Sequence, residues 1–369
     1  MTAVYLDYNA TAPIRPEVIE AMAGAMAAPG NPSSIHGAGR SARARLEAAR
    51  RAIAAAVGAS AEGVVFTSGG TEANDLALAA AQGPVLVSAV EHPSVLDAAP
   101  EAVRVPVDRS GVVRLDALAD LMDLHRPAVV SLMLANNETG VLQPVADAAA
   151  LAHRHGALLH VDAVQALGKL PFDLTRLGAD LLSLSAHKLG GPPGVGALVI
   201  GQGIEIRARQ RGGGQEGRRR AGTENLPGIV GFARAVEFAP EADLARVGAL
   251  RDALEARLLA ACPDGAVVVG REVARLPNTS CILMPGVESA TQLVHLDLAG
   301  IAVSSGSACS SGKVGPSHVL LAMGLPEEAA RSAIRVSLGW ASTERDIDRF
   351  LLSWLELRRR TAARARRVA

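Results

Sequence analysis

At 369 residues the chain is about twice the usual length of one domain, so a large unit with a smaller companion is the first expectation. Its 37 lysines and arginines balance 37 aspartates and glutamates, and aromatic residues make up only 2%; a broad affinity for nucleic acid or anionic lipid and a base-stacking surface are both disfavoured. Hydrophobic residues at 49%, spread in periodic segments along the whole length, exclude a disordered chain.

Three cysteines, Cys262, Cys281 and Cys309, are an odd, sparse set without metal-ligand spacing, which argues against a disulfide framework or a structural zinc site and fits a reducing compartment. No basic residue precedes Arg15 and no apolar run approaches the ~18 residues that span a bilayer. The expectation is a cytoplasmic protein with no membrane and no nucleic-acid partner.

Taken in chain order, short β-rich runs alternate with alanine-rich helical segments. The runs are Val64–Thr67, Val85–Val87, Val129–Met133, Leu158–Val161 and Leu181–Leu184. Continuous apolar strands joined by helices predict an α/β fold whose mostly parallel sheet is covered on both faces, with ligands at the carboxyl ends of its strands. From about Ala242 the pattern changes. Leu244, Val247, Leu250, Leu254 and Leu258 recur at helical spacing among charged residues, then strand-like stretches follow at Ala266–Val269 and Ser280–Met284, so a smaller α+β C-terminal domain is expected. The predicted division is 16–244 for the large domain, with 1–15 and 245–369 forming the small one.

Three stretches carry chemistry. Phe66 to Asn74 runs from a strand through Gly69 and Gly70 into a helix, a shape that cups a phosphate: glycines admit the anion and the helix N-terminus supplies N–H groups and a positive dipole end. A plain strand-to-helix turn has the same outline. Asp162 ends a second strand, where an ordinary helix N-cap would also stand. Lys188 ends a third, in Ser185-Ala186-His187-Lys188, and most lysines are surface residues. Together the three change the reading: a lysine for a covalent linkage, a carboxylate for a pyridinium proton and a phosphate cup are the needs of pyridoxal 5'-phosphate.

With these residues in place the chain closely resembles the fold-type I, class V pyridoxal-phosphate enzymes, and among them the cysteine desulfurases of the NifS/IscS type. The likeness runs through Tyr5–Thr11, Gly30–Ser34, the Thr67–Glu72 cup, Glu91-His92, Asn136–Gly140, the Asp162 and Lys188 segments, Ala221–Asn225 and Ser304–Cys309. Two small departures are Pro193, where the family usually carries a lysine or similar residue, and Gly217, which comes one place early.

The resemblance implies that Lys188 carries the cofactor, that Asp162 partners the pyridine nitrogen and that His92 stacks on the ring. It places Asn137 and Gln165 on the phenolic-oxygen side, and Gly70, Thr71, Ser185 and His187 at the phosphate. Thr223 is implied to reach the phosphate of a neighbouring subunit, hence a homodimer with shared sites. Arg335, with Asn137, is implied to bind the substrate carboxylate, a task suited to a planar bidentate fork; as a lone arginine in a strand it would read as a surface residue.

Cys309 separates desulfurases from their relatives. A lone cysteine is commonly a small buried hydrophobe, but residues 304–312 hold five serines, two glycines, one alanine and the cysteine, with no large apolar anchor. An exposed, mobile thiol is expected, its pKa lowered by Lys313, and the same thiol is a candidate transient iron–sulfur ligand. Cys262 and Cys281 read as structural.

The function so implied is an L-cysteine desulfurase: Lys188 takes the α-proton of L-cysteine, His92 assists, Cys309 accepts the sulfur as a persulfide, and a sulfur-acceptor or iron–sulfur scaffold protein receives it. The alternatives are a class V aminotransferase or selenocysteine lyase, which share the cofactor residues without requiring the loop cysteine, and a non-catalytic binding module, which the presence of both Lys188 and Asp162 disfavours. The arginine run from Arg358 to Arg367 is most simply a solvated helix end, with docking of an acidic partner as the sharper reading.

Overall fold

The computed structural model describes residues 3–239, 241–306 and 315–368, with backbone alone for 241–242 and 364–368. Its centre is a seven-stranded sheet. The strands are β2 (Val64–Thr67), β3 (Val85–Ser88), β4 (Val103–Val105), β5 (Val129–Met133), β6 (Leu158–Asp162), β7 (Leu181–Ser185) and β8 (Gly196–Ile200); they follow a two-residue β1 (Val4–Tyr5). The order is β2-β8-β7-β6-β5-β3-β4. All neighbours are parallel except β8, which runs antiparallel to both β7 and β2.

The apolar runs explain the layering. Every residue of β2, β5, β7 and β8 is buried, because helices cover both faces of the sheet and leave no polar side for alternation to show. The main core joins those strands to the helices Gly37–Ala56, Leu115–His125, Val145–Arg154 and Leu226–Glu237 through residues such as Leu46, Leu118, Val130 and Phe232.

Beyond Glu241 the chain builds a second core from the helices Glu241–Ala261, Ser289–Leu298 and Glu344–Val368, with Phe350 and Trp354 fully buried among Leu254, Leu258 and Ile334. Its sheet contains β9 (Val267–Val268), β10 (Thr279–Leu283), β12 (Ser304–Ser305) and β13 (Ala333–Ser337) in the antiparallel order β12-β13-β10-β9, while β11 (Ile301–Ala302) pairs in parallel with β1. Val4 and Leu6 from the N-terminal segment lie in this second core, so the chain's first residues pack with its last third. No described helix is long and apolar enough to cross a membrane.

Candidate active site

Register brings three strand ends level. Met133 pairs with Asp162, Asp162 with Ser183, and Ser185 with Gly196, so Asp162 and the Ser185–Lys188 segment emerge at one edge of the sheet. A cleft of about 320 Å³ opens there. It is lined by Gly70, Thr71, His92, Asn137, Asp162, Gln165, Ser185, His187, Lys188 and Arg335, which unites every site residue expected from sequence except Thr223 and Cys309. Thr223 is exposed and lines a separate hollow with Ser68, Gly194 and Arg220. Cys309 and Lys313 lie outside the described residues.

One end of the cleft is made for an anion. The helix Gly70–Leu78 starts after Gly69, whose φ of 155° lies in the range that favours glycine, and no side chain caps it; its first N–H groups face outward. A Cβ on Gly70 would come within 2.6 Å of Val164. Ser185 Oγ, in a residue 1% exposed, is a buried hydroxyl with no hydrogen-bond partner among the described residues. A phosphate would satisfy these donors together.

The floor carries charge under control. Asn74 Nδ2 donates to Asp162 Oδ2 at 2.8 Å and the Val164 amide donates to Asp162 Oδ1 at 2.9 Å, which keeps the carboxylate fixed. The same Asn74 nitrogen donates to Ser94 Oγ at 2.9 Å, and Ser94 Oγ lies 2.8 Å from His92 Nδ1. With the Ser94 amide also donating to Nδ1 at 3.1 Å, the neutral imidazole holds its proton on Nε2. Burial lowers the His92 pKa, Lys188 lowers it further, and Asp162 opposes them. His187 is pushed down to about 4 by burial and by Lys188 and Lys169. Lys188 Nζ donates to the Asn9 and Ala10 carbonyls, both at 2.7 Å.

Arg335 closes the opposite wall from β13. It is 3% exposed, not a surface arginine. One Nη donates to Asp7 at 2.8 Å and the other to the Asn137 carbonyl at 3.1 Å, while its Nε is buried without a partner among the described residues.

Residues 4–350 match the family described as aminotransferase class-V. The chain is 47% identical to a cysteine desulfurase of Cereibacter sphaeroides, covering 95% of this chain and 94% of that one. It is 43% identical to the cysteine desulfurase NifS of Azotobacter vinelandii, over 95% and 91%. The chain belongs to the cysteine desulfurases of the class V aminotransferase family. The X-ray structure of a NifS-like protein from Rickettsia africae superimposes with a TM-score of 0.90 at 35% identity, covering 96% of this chain and 99% of that chain.

The desulfurase family uses pyridoxal 5'-phosphate, and the cleft fits it on its own features: the unpartnered Ser185 hydroxyl, the uncapped helix with its Gly70 cradle, a fixed carboxylate and a lysine at one edge. Cys281 is unsuited to act as the sulfur acceptor. It is 2% exposed, and burial, with Glu138 adding, pushes its thiol up to about 12; the thiolate is the nucleophile, and Cys281 does not form it near neutral pH.

Several participants carry no strong sequence signal. Asn74 stands in the quoted glycine-helix stretch, but only the fold brings its side chain onto Asp162. Asn9, Ser94 and Asp7 likewise enter through contacts between segments far apart in sequence. Glu91, directly before His92, is fully buried, accepts from the Met133 amide at 2.6 Å and is raised well above the ordinary carboxylate range by burial.

Proposed function

We propose that this cleft converts L-cysteine to alanine and passes the sulfur to Cys309, with the roles divided as follows. Lys188 would carry the cofactor and, when its Nζ is free, would take the α-proton of cysteine there. The cofactor supplies the electron sink at the carbon that bears the amino group. Asp162, held by Asn74 and the Val164 amide, keeps the proton on the pyridine nitrogen. His92 covers the ring and serves proton transfer from an imidazole that is neutral near pH 7. Gly70, Thr71, Ser185 and His187 hold the phosphate, and Gln165 and Asn137 the phenolic-oxygen side. Arg335 receives the substrate carboxylate on its planar guanidinium, shared with Asp7 and the Asn137 carbonyl.

Cys309 Sγ bonds to the substrate sulfur as the carbon–sulfur bond breaks, so the enzyme holds a persulfide and the carbon skeleton leaves as alanine. A sulfur-acceptor or iron–sulfur scaffold protein takes the sulfur onward. We infer a cytoplasmic homodimer in which Thr223 serves the neighbouring subunit's phosphate; its exposure and its place outside the chain's own cleft support that assignment. The division into 16–244 and 1–15 with 245–369 is supported by the two separate cores and by Val4 and Leu6 joining the second.

The observation that carries the reading is the union of Lys188, Asp162, Ser185 and Arg335 in one cleft on a family-wide match. Product analysis tests it. Holoenzyme given L-cysteine and a thiol acceptor should form alanine and transferable sulfur in equal amounts. Amino-group transfer to a 2-oxo acid, with no sulfur released, would place the chain among the aminotransferases instead.

A further inference from the structure

Behind the half-buried Lys188 lies a buried lysine to which the reaction assigns no task. Lys169 is 7% exposed, and its Nζ donates to Gln165 Oε1 at 2.7 Å and to Asn9 Oδ1 at 2.8 Å. Both acceptors are neutral amides. Burial, with Lys188 and Arg335 as like charges, drives its pKa well below the ordinary lysine value, and His187 also lies within its field. A buried cation with no carboxylate partner among the described residues is costly, and an apolar side chain would pack there more cheaply. What Lys169 adds is direction.

An ammonium has donors and no acceptor, and the amine left after deprotonation still has two N–H groups for its two partners. The Gln165 atom that faces Lys169 is its carbonyl oxygen, the one arrangement that serves the charged form. This turns the amide nitrogen the other way, where one N–H donates to the Asn9 carbonyl at 3.0 Å. That carbonyl also accepts from Lys188 Nζ. The second N–H of Gln165 is left for a ligand of the cleft that Gln165 lines. Asn9 is fixed in the same manner: its Oδ1 accepts from Lys169 and from Asn278 Nδ2 at 3.0 Å, so its Nδ2 points to Thr279 Oγ1 and to the Asn137 carbonyl.

We propose that Lys169 is a positioning residue that locks the Gln165 amide with its second N–H toward the cofactor's phenolic oxygen and so sets the basicity of the nitrogen joining Lys188 to the cofactor. The inference rests on the reading of Gln165 as a contact of that oxygen. A hydrogen bond given to the phenolic oxygen lowers its hold on the neighbouring linkage nitrogen's proton, so losing the bond makes that nitrogen more basic.

The test is the pH midpoint of the visible absorbance of holoenzyme for wild type, Gln165→Ala, Lys169→Met and the double variant. Each single substitution should raise the midpoint by about one pH unit, a tenfold change in proton affinity, and the double variant should rise no further than either single one. An unmoved midpoint in Gln165→Ala would overturn both the Gln165 contact and the proposal. A shift in Gln165→Ala with none in Lys169→Met would overturn the positioning role alone. Additive shifts would mean that Lys169 acts as a charge through space, which also overturns it. Should Lys169→Met not fold, Lys169→Arg takes its place, since a void of about 50 Å³ beside Lys169 offers room for the larger head. That donor-only side chain should keep the wild-type midpoint, and a one-unit rise would contradict the proposal.

Discussion

The cleft wall built by the large sheet and the wall built by the small sheet meet a ligand in opposite states. On the large-sheet side the donors are open: Ser185 Oγ has no partner and the helix at Gly70 has no cap. On the small-sheet side both Nη groups of Arg335 are already engaged, one on Asp7 and the other on the Asn137 carbonyl. Asp7 in turn accepts from Ser304 Oγ at 2.6 Å. An anion entering the first wall meets unshared donors, whereas a carboxylate entering the second must share a guanidinium. The first arrangement suits a group that stays, the second a substrate that must leave as product.

Substitutions on each wall can break this contrast, and the largest effect belongs to the large-sheet side. Lys188→Ala should reduce alanine formation by about 10⁴-fold and abolish the borohydride-reducible linkage to the cofactor; a reducible adduct at another lysine would overturn the assignment. On the small-sheet side, Arg335→Lys keeps a positive charge beside Asp7 but loses the fork. Its KM for cysteine should rise by about 10- to 100-fold, the worth of a charged hydrogen bond, with the cofactor spectrum unchanged. A spectral change without a KM change would move Arg335 to the cofactor wall.

Beneath the large-sheet wall, His160 is fully buried between Ser131 Oγ at 2.8 Å and Ser183 Oγ at 2.9 Å, and burial pushes its pKa down to about 4. Its folded value lies below its unfolded value of 6.5, so between those values the unfolded chain binds more protons and stability falls as pH falls. The loss from this group should reach on the order of 3 kcal/mol by pH 4. Denaturant unfolding at a series of pH values measures it, and His160→Gln should flatten the slope; an equal slope in that variant would assign the effect elsewhere. The smallest effect is expected from Asp7→Asn. Freeing the Arg335 fork should lower KM by about two- to fivefold while reducing the melting temperature, since a largely buried pair is broken. A raised KM would show that Asp7 aims Arg335 at the substrate and does not compete for it.

The same contrast governs what could be read from sequence. Large-sheet strands announce themselves because burial on both faces demands continuous apolar runs; Val64–Thr67 and Val129–Met133 were legible to the residue. Asp162 and Lys188 were legible because strand ends are where α/β sheets place ligands. The antiparallel β8, inserted between β2 and β7, was not, since an apolar run carries no sign of its direction. The small-sheet wall was harder still. Arg335 in isolation reads as a surface residue, and its partner Asp7 lies 328 positions away; only the N-terminal segment's return to the second core joins them. Lys169 shows the limit of residue type, because nothing local distinguishes a lysine buried against two amides from one in solvent.

Passage of the substrate's sulfur to Cys309 is tested most directly by a single-turnover experiment. Holoenzyme mixed with one equivalent of L-cysteine, quenched and digested, should carry about one extra sulfur atom on the peptide containing Cys309, with an equal amount of alanine formed. Cys309→Ser should keep the cofactor's absorbance and bind cysteine without forming alanine, because a serine hydroxyl is too basic and too poor a nucleophile toward sulfur. Added sulfur found only on Cys262 or Cys281, or full alanine formation by Cys309→Ser, would contradict the account.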